Sequence, residues 1–189
     1  MEHKQTISTK RIVLTALLAA LTVAGSAMRI TIPVDIAGTT SFHLGNIMCA
    51  LSGILLGPWL GGLAAAMGSA IYDMLNPLYI SEAWITFLTK GAYGVAAGLV
   101  ACSGKKPWGY GKAIAATVAG AVTYAVLYLS KTYFYSGLLL KGLTPEAALL
   151  TVGTKMPATI FNAVVAIIFA PILAMAIRKA LEENRLTLD

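Results

Sequence analysis

Along residues 12–177 the chain returns repeatedly to apolar runs of roughly 15 to 25 residues, separated by short polar segments. A hydrocarbon core about 30 Å thick needs about 20 apolar residues per helix. A chain of 189 residues cannot bury so many apolar helices against one another on every side. Only 12% of its residues are charged, against 58% hydrophobic, where soluble domains carry about 25% charged. Lipid is therefore the solvent for most of its surface, and the sequence predicts an all-α, polytopic membrane protein. About six spans and their loops use up the chain, so residues 1–189 are read as one transmembrane domain.

The expected spans are 12–28, 44–56, 60–75, 84–101, 112–135 and 154–177. Gly57-Pro58-Trp59 separates the second from the third, and Asn76-Pro77 ends the third. Residues 103–111 form a polar, Gly-rich loop, and residues 136–150 a longer connection. In the latter, Thr144-Pro145-Glu146 has the form of a cap and first turn of a short helix. Pro157 stands near the start of the sixth span, and Pro171 is an expected kink. Lys10-Arg11, an apolar run and Gly25-Ser26-Ala27 have the outline of a signal peptide. The rest of the chain is equally apolar, so the run is read as an uncleaved first span.

The formal charge of +6 raises the question of nucleic acid, but its distribution answers it. Lys4, Lys10, Arg11, Lys105, Lys106, Lys112, Arg178, Lys179 and Arg185 fall on one side of the membrane; the loops of the other side hold Arg29 and Lys141. The positive-inside rule then places both termini in the cytoplasm. Cys49 and Cys102 lie in apolar runs and are read as small packing residues, with no disulfide expected. There is no P-loop, HExxH or GxSxG sequence and no cysteine or histidine cluster. Neither ATP hydrolysis nor a metal or other cofactor is expected.

Ionisable groups inside spans cost roughly 2.5–3.5 kcal/mol each on insertion, so they are usually paired or functional. Here they are Asp73, Lys90, Lys131 and Lys155. The topology places all four in the outer half of the membrane, on four different helices. A polar cavity open to the outside accounts for that convergence. Tyr124, Tyr128 and Lys131 follow at spacings of four and three, one helical stripe, and a stripe of two phenols and an ammonium belongs inside a bundle. Trp84 and Tyr93 lie on the same side. Asn162, two turns beyond Lys155, is placed at the pocket floor. His43 and Asn46 stand where segment 29–43 enters the second span, and that segment, with Ile30, Ile32, Val34, Ile36 and Phe42 among polar residues, is read as a lid. Tyr79, Tyr133 and Tyr135 are assigned to the interfacial aromatic belt. Such a lining suits a small planar solute with acceptor or anionic character. The alternative is an Asp73–Lys90 structural pair, with Lys131 and Lys155 snorkelling.

Ala16, Ala20 and Ala24 repeat every four residues on the first span, a small-residue stripe that lets another helix approach closely. Gly57/Gly61 and Gly94/Gly98 are read in the same way.

These features resemble the substrate-binding S component of energy-coupling factor (ECF) vitamin transporters, over nearly the whole chain. The carrying stretches are His43-Leu44-Gly45-Asn46, Gly53-Ile54-Leu55-Leu56-Gly57-Pro58-Trp59-Leu60-Gly61, Gly68-Ser69-Ala70-Ile71-Tyr72-Asp73 and Thr86-Phe87-Leu88-Thr89-Lys90-Gly91. They are similar to the riboflavin-, pyridoxine- and hydroxymethylpyrimidine-type members. Asn46 departs from that pattern, which has Asp there. The resemblance implies capture of a vitamin from outside beneath the first loop. Delivery then runs through a transmembrane coupling protein and two cytoplasmic ATPases, with Ala16, Ala20 and Ala24 as the docking stripe. It implies no catalysis by this chain. A self-sufficient carrier or channel would need polar residues through the full depth, and a membrane enzyme would need an acid/base or metal cluster; Asp73 with Lys90 is the nearest approach to one.

Overall fold

A computed structural model of the chain describes residues 8–34, 38–104 and 108–184. Lys4, Lys105, Lys106 and Arg185 of the orientation argument, and Ile36 of the expected lid, lie outside the described residues. The order is α1 (Thr9–Ala27), β1 (Arg29–Val34), β2 (Gly38–His43), α2 (Gly45–Leu75), α3 (Ala83–Cys102), α4 (Tyr110–Lys131) and α5 (Pro145–Glu183). A single 3-10 turn, Ile80–Glu82, leads into α3, and α4 continues as a π-helical segment, Thr132–Leu140.

Five helices among the described residues are long and apolar enough to cross a bilayer, where about six spans were expected. The difference lies in α2, which runs through both the second and third expected spans. It is not straight. Gly57 has φ 79 and ψ −176, a conformation that L side chains rarely adopt, and Pro58 follows. Beyond it the chain doubles back: a Cβ on Gly61 would lie 2.3 Å from the Ser52 carbonyl oxygen, although nine residues of continuous helix span about 13 Å. The Cys49 thiol and the Ser69 hydroxyl, 20 positions apart, meet at 3.7 Å. Residues 45–56 and 58–75 are thus two antiparallel arms, and both ends of α2 lie at the same end of the bundle.

Segment 29–43 is a β-hairpin, so the all-α expectation needs correction. Its strands pair antiparallel from Arg29↔His43 to Val34↔Gly38. The cause is visible in the residues: Ile30, Ile32 and Val34 alternate with Arg29, Thr31 and Pro33, a strand period rich in β-branched side chains. The 136–150 connection is also shorter than expected. The π-helical segment carries the fourth helix to Leu140, and α5 starts at Pro145 behind the Thr144 cap, whose side chain accepts from the Ala147 N–H. The expected short helix and sixth span are one 39-residue helix that contains Pro157 and Pro171.

Packing uses small residues where backbones meet. A Cβ on Gly53 would sit 2.4 Å from the Gly94 carbonyl oxygen, which brings α2 and α3 into near-backbone contact. On α1, Thr15, Leu18, Ala19, Thr22, Gly25 and Ser26 form the buried stripe. Ala16, Ala20 and Ala24 fall on the opposite, exposed side with Ile12, Leu17 and Leu21. Cys49 is fully buried, as a packing residue should be, whereas Cys102 is exposed at the end of α3.

Candidate binding site

One end of the bundle holds a cavity of about 350 Å³. The hairpin forms one wall of it, through Arg29, Thr39, Thr40, Ser41 and His43. Helices α2 to α5 and the connections between them supply most of the rest, with Ser26 of α1. Eight of the expected site residues line it: His43, Asp73, Lys90, Tyr124, Tyr128, Lys131, Lys155 and Asn162. Three do not. Trp84 is 54% exposed and packs edge-on against Tyr135, with ring centroids 5.5 Å apart. Tyr93 is 0% exposed and stacks against Tyr124 at 5.9 Å, so it belongs to the core rather than the lining. Asn46 is buried below the cavity, where its Oδ1 accepts from the Lys90 ammonium.

The tyrosines form a column. Tyr93, Tyr124 and Tyr128 stack in sequence, with 5.4 Å between the last two centroids. The four-residue step from Tyr124 to Tyr128 makes this possible, since it is about one turn of α4. Cations sit beside the column: the Lys90 ammonium is 3.8 Å from the Tyr124 centroid, and that of Lys131 is 5.6 Å from that of Tyr128. Such placement partly replaces water around a buried ammonium. The Asp73–Lys90 ion pair of the alternative reading is not among the pairs formed by the described residues. Lys131 instead pairs with Glu82, at the 3-10 turn, whose other carboxylate oxygen accepts from the Ser136 hydroxyl at 2.9 Å.

Asn162 and Lys155 have a second occupation. The Asn162 side chain accepts from the His43 N–H at 3.0 Å and donates to the Ser41 carbonyl at 2.9 Å. Lys155 donates to the Thr39 carbonyl at 2.7 Å. Positions 39, 41 and 43 alternate with those that face the other way, so these contacts all fall on the outer edge of β2. A side-chain amide there does the work of a neighbouring strand, satisfying one donor and one acceptor of an otherwise unpaired edge. Phe42 meets Phe161 edge-on at 5.0 Å and adds an apolar contact between hairpin and α5.

Tyr79 also lines the cavity rather than facing outward with an aromatic belt. Its hydroxyl is 3.2 Å from Ser41 Oγ and 3.4 Å from Thr39 Oγ1. Arg29 lies over both Tyr72 and Tyr79, 4.4 and 4.7 Å from their centroids, and donates to the Ser26 carbonyl. His43 Nδ1 accepts from the Gly45 N–H at 3.2 Å. Desolvation holds the His43 pKa well below the usual imidazole value, and the positive charges of Lys90 and Arg29 add to the effect. His43 is therefore neutral at pH 7.

Among the charged and phenolic lining residues, Glu82, Tyr79, Arg29 and Lys141 are those that the sequence reading did not place in the site. Their signal was weak because each lies at a helix end or in a connection, where a charge or phenol is ordinary.

With this geometry in place, the comparison with known families is specific. Residues 6–179 match the family described as ECF-type riboflavin transporter, S component. The chain belongs to that family. This S component is a multi-pass membrane protein, the substrate-binding subunit of a vitamin-uptake system and not an enzyme. It is also 35% identical, over 118 residues, to an uncharacterized protein of the gap 3'region of Pyrococcus woesei; the match covers 62% of this chain and 74% of the relative.

Proposed function

We propose that this S component captures a small water-soluble vitamin or vitamin precursor at the outer face of the cell membrane. A pyridoxine-like, hydroxymethylpyrimidine or flavin compound fits the reading. The cavity bounded by the hairpin and α2 to α5 receives it. Asp73, Lys90, Tyr124, Tyr128, Lys131, Lys155, Asn162 and His43 face the ligand, while Asn46 and Tyr93 hold Lys90 and Tyr124 from behind. The two arms of α2 each cross the membrane, giving six crossings with both termini in the cytoplasm. Delivery then falls to a separate transmembrane coupling protein, which docks on the outward alanine stripe of α1, and to two cytoplasmic ATPases that act with it.

The observation that carries this reading is the asymmetry of the interior. The cavity occupies one end, and beyond it Leu51, Ile54, Leu56, Ala101, Ala113, Ala116 and Ala174 close into a packed core. A binding subunit needs a site open to one side only, and a self-sufficient channel needs a path through.

Two measurements test it. Calorimetry on the purified protein in lipid nanodiscs should detect binding of one of these vitamins without any partner. Liposomes should take that vitamin up only when the coupling protein, the ATPases and ATP are present; uptake by this chain alone overturns the proposal. Replacing Ala16 and Ala20 with Leu should abolish uptake and leave binding unchanged, since both positions are exposed and neither lines the cavity. Uptake that survives the double replacement removes the docking assignment.

A further inference from the structure

The cavity is lined by five cationic side chains, Arg29, Lys90, Lys131, Lys141 and Lys155, and by two carboxylates, Asp73 and Glu82. Glu82 is taken by Lys131. The hydrogen-bond and ring partners of three of the other cations are neutral among the described residues. Lys90, only 5% exposed, rests on the Asn46 amide oxygen and the Tyr124 face. Lys155 rests on the Thr39 carbonyl. Arg29 rests on the Ser26 carbonyl and two tyrosine faces. Asp73 shares the cavity and, among the described residues, acts on Arg29 and Lys90 only from beyond ion-pair distance, so one carboxylate offsets part of the charge of these cations.

Neutral partners satisfy hydrogen bonds but do not cancel charge. A lysine ammonium has three donors and an arginine five, so each of these groups keeps donors for something else. Holding several like charges around one partly desolvated space is unfavourable unless an opposite charge enters it. A neutral solute would leave that imbalance in place and would also exclude some of the water that screens it.

Resting on the vitamin-binding reading above, we infer that the ligand of this cavity carries an anionic group, a carboxylate or a phosphate monoester. That group is received by Lys90, Lys155 and Arg29, and the rest of the molecule lies against Tyr124 and Tyr128. Charge-assisted hydrogen bonds to a carboxylate or phosphate are about twice as strong as neutral ones. The cation set therefore selects the anion over its neutral twin, not merely tolerates it.

The test uses matched pairs that differ in that group: pyridoxine and 4-pyridoxate, nicotinamide and nicotinate, riboflavin and riboflavin 5'-phosphate. Each is titrated by calorimetry into the full chain in neutral-lipid nanodiscs. The first two pairs report on a carboxylate and the third on a phosphate. In at least one pair the anionic member should bind about 30-fold tighter than its twin. Lys155→Gln should cut that preference by about tenfold, and Lys155→Arg, which keeps the charge, should retain it and serves as the control for folding. If neutral members bind and in no pair does the anionic twin bind tighter, the anionic class is wrong and the vitamin-binding reading stands. If none of the six binds at about 1 mM, both are overturned.

Discussion

Lysine and arginine stand at both ends of this bundle, but they do different work. At the end remote from the cavity, Arg11 donates to the Leu56 carbonyl at 3.0 Å, Lys112 to the Ser103 carbonyl and Arg178 to that of Trp108. Leu56 closes the first arm of α2, and Ser103 is the C-cap of α3. Arg11 and Lys112 therefore cap helix C-termini, where unpaired carbonyls and the helix dipole both favour positive charge, and Arg178 ties α5 to the segment that leads into α4. At the cavity end, Lys90 is buried in the middle of the bundle and rests on an amide and a ring. One set of charges is spent on the fold. The other is held in reserve around an interior space, which marks that end as the site.

This contrast depends on the reversal at Gly57, because only a doubled-back α2 brings Asn46 and Asp73 to the same end. The largest effect should come from breaking it. Gly61→Val places a branched side chain where even a Cβ would be 2.3 Å from the Ser52 carbonyl. Neither backbone can yield without separating the arms. The expected cost is about 3 kcal/mol or more, seen as loss of the monodisperse folded species in size-exclusion chromatography. A normally folded Gly61→Val protein would show that the arms do not pack as described.

The next effect sharpens the comparison directly. Lys90→Met should weaken ligand binding by about 30- to 100-fold, the loss expected for a charged hydrogen bond in a buried site. Arg178→Ala, at the other end, should leave affinity unchanged and lower only the melting temperature. Calorimetry on both variants decides it, and equal losses of affinity would erase the distinction between the two ends.

Much of the cavity end is legible in the amino-acid sequence. Asp73, Lys90 and Lys155 announce themselves because an ionisable group in an apolar run demands an explanation. Tyr124, Tyr128 and Lys131 do so because helical periodicity puts them on one face. Which group pairs with which is not legible. Lys131 and Glu82 are 49 positions apart, and only the path of α3 and α4 brings them together. Lys90 and Asp73 invite pairing from the sequence, yet Lys90 points down to Asn46. The helix count differs for a local reason: Gly57-Pro58 reads as a loop between two spans, and it is a reversal between two arms of one helical stretch. The hairpin carries a legible signal, the alternation of Ile30, Ile32 and Val34, which the lid reading passes over.

Glu82→Gln removes the carboxylate that Lys131 relies on and should destabilise the protein by about 1–2 kcal/mol. The cost stays below that of breaking a fully buried pair, because the two side chains retain 10% and 24% exposure. Thermal unfolding in detergent would register it. The double variant Glu82→Gln/Lys131→Met should recover most of the loss, because no unpaired charge then remains. Failure to recover would mean that the pair is not what holds the 3-10 turn against α4.

The smallest effect concerns His43, at the foot of the hairpin. Its pKa is lowered in the folded protein by desolvation, with Lys90 and Arg29 adding to the shift. Below the unfolded imidazole value of about 6.5, the unfolded chain therefore binds a proton that the folded chain refuses. By linkage, the stability that neutral His43 contributes is fully present above that pH and is lost as the pH falls toward the folded pKa. Protonation also removes the Nδ1 lone pair that accepts from the Gly45 N–H. His43→Asn keeps a side-chain acceptor and cannot titrate in this range. The wild-type melting temperature should therefore drop more steeply than that of His43→Asn between pH 7 and pH 5, where other groups affect both proteins alike. Parallel curves would mean that His43 is as free to protonate in the folded protein as in the unfolded one. The foot of the hairpin would then have to be wet, and the cavity wall it forms would not be the desolvated surface that sets this end of the molecule apart from the other.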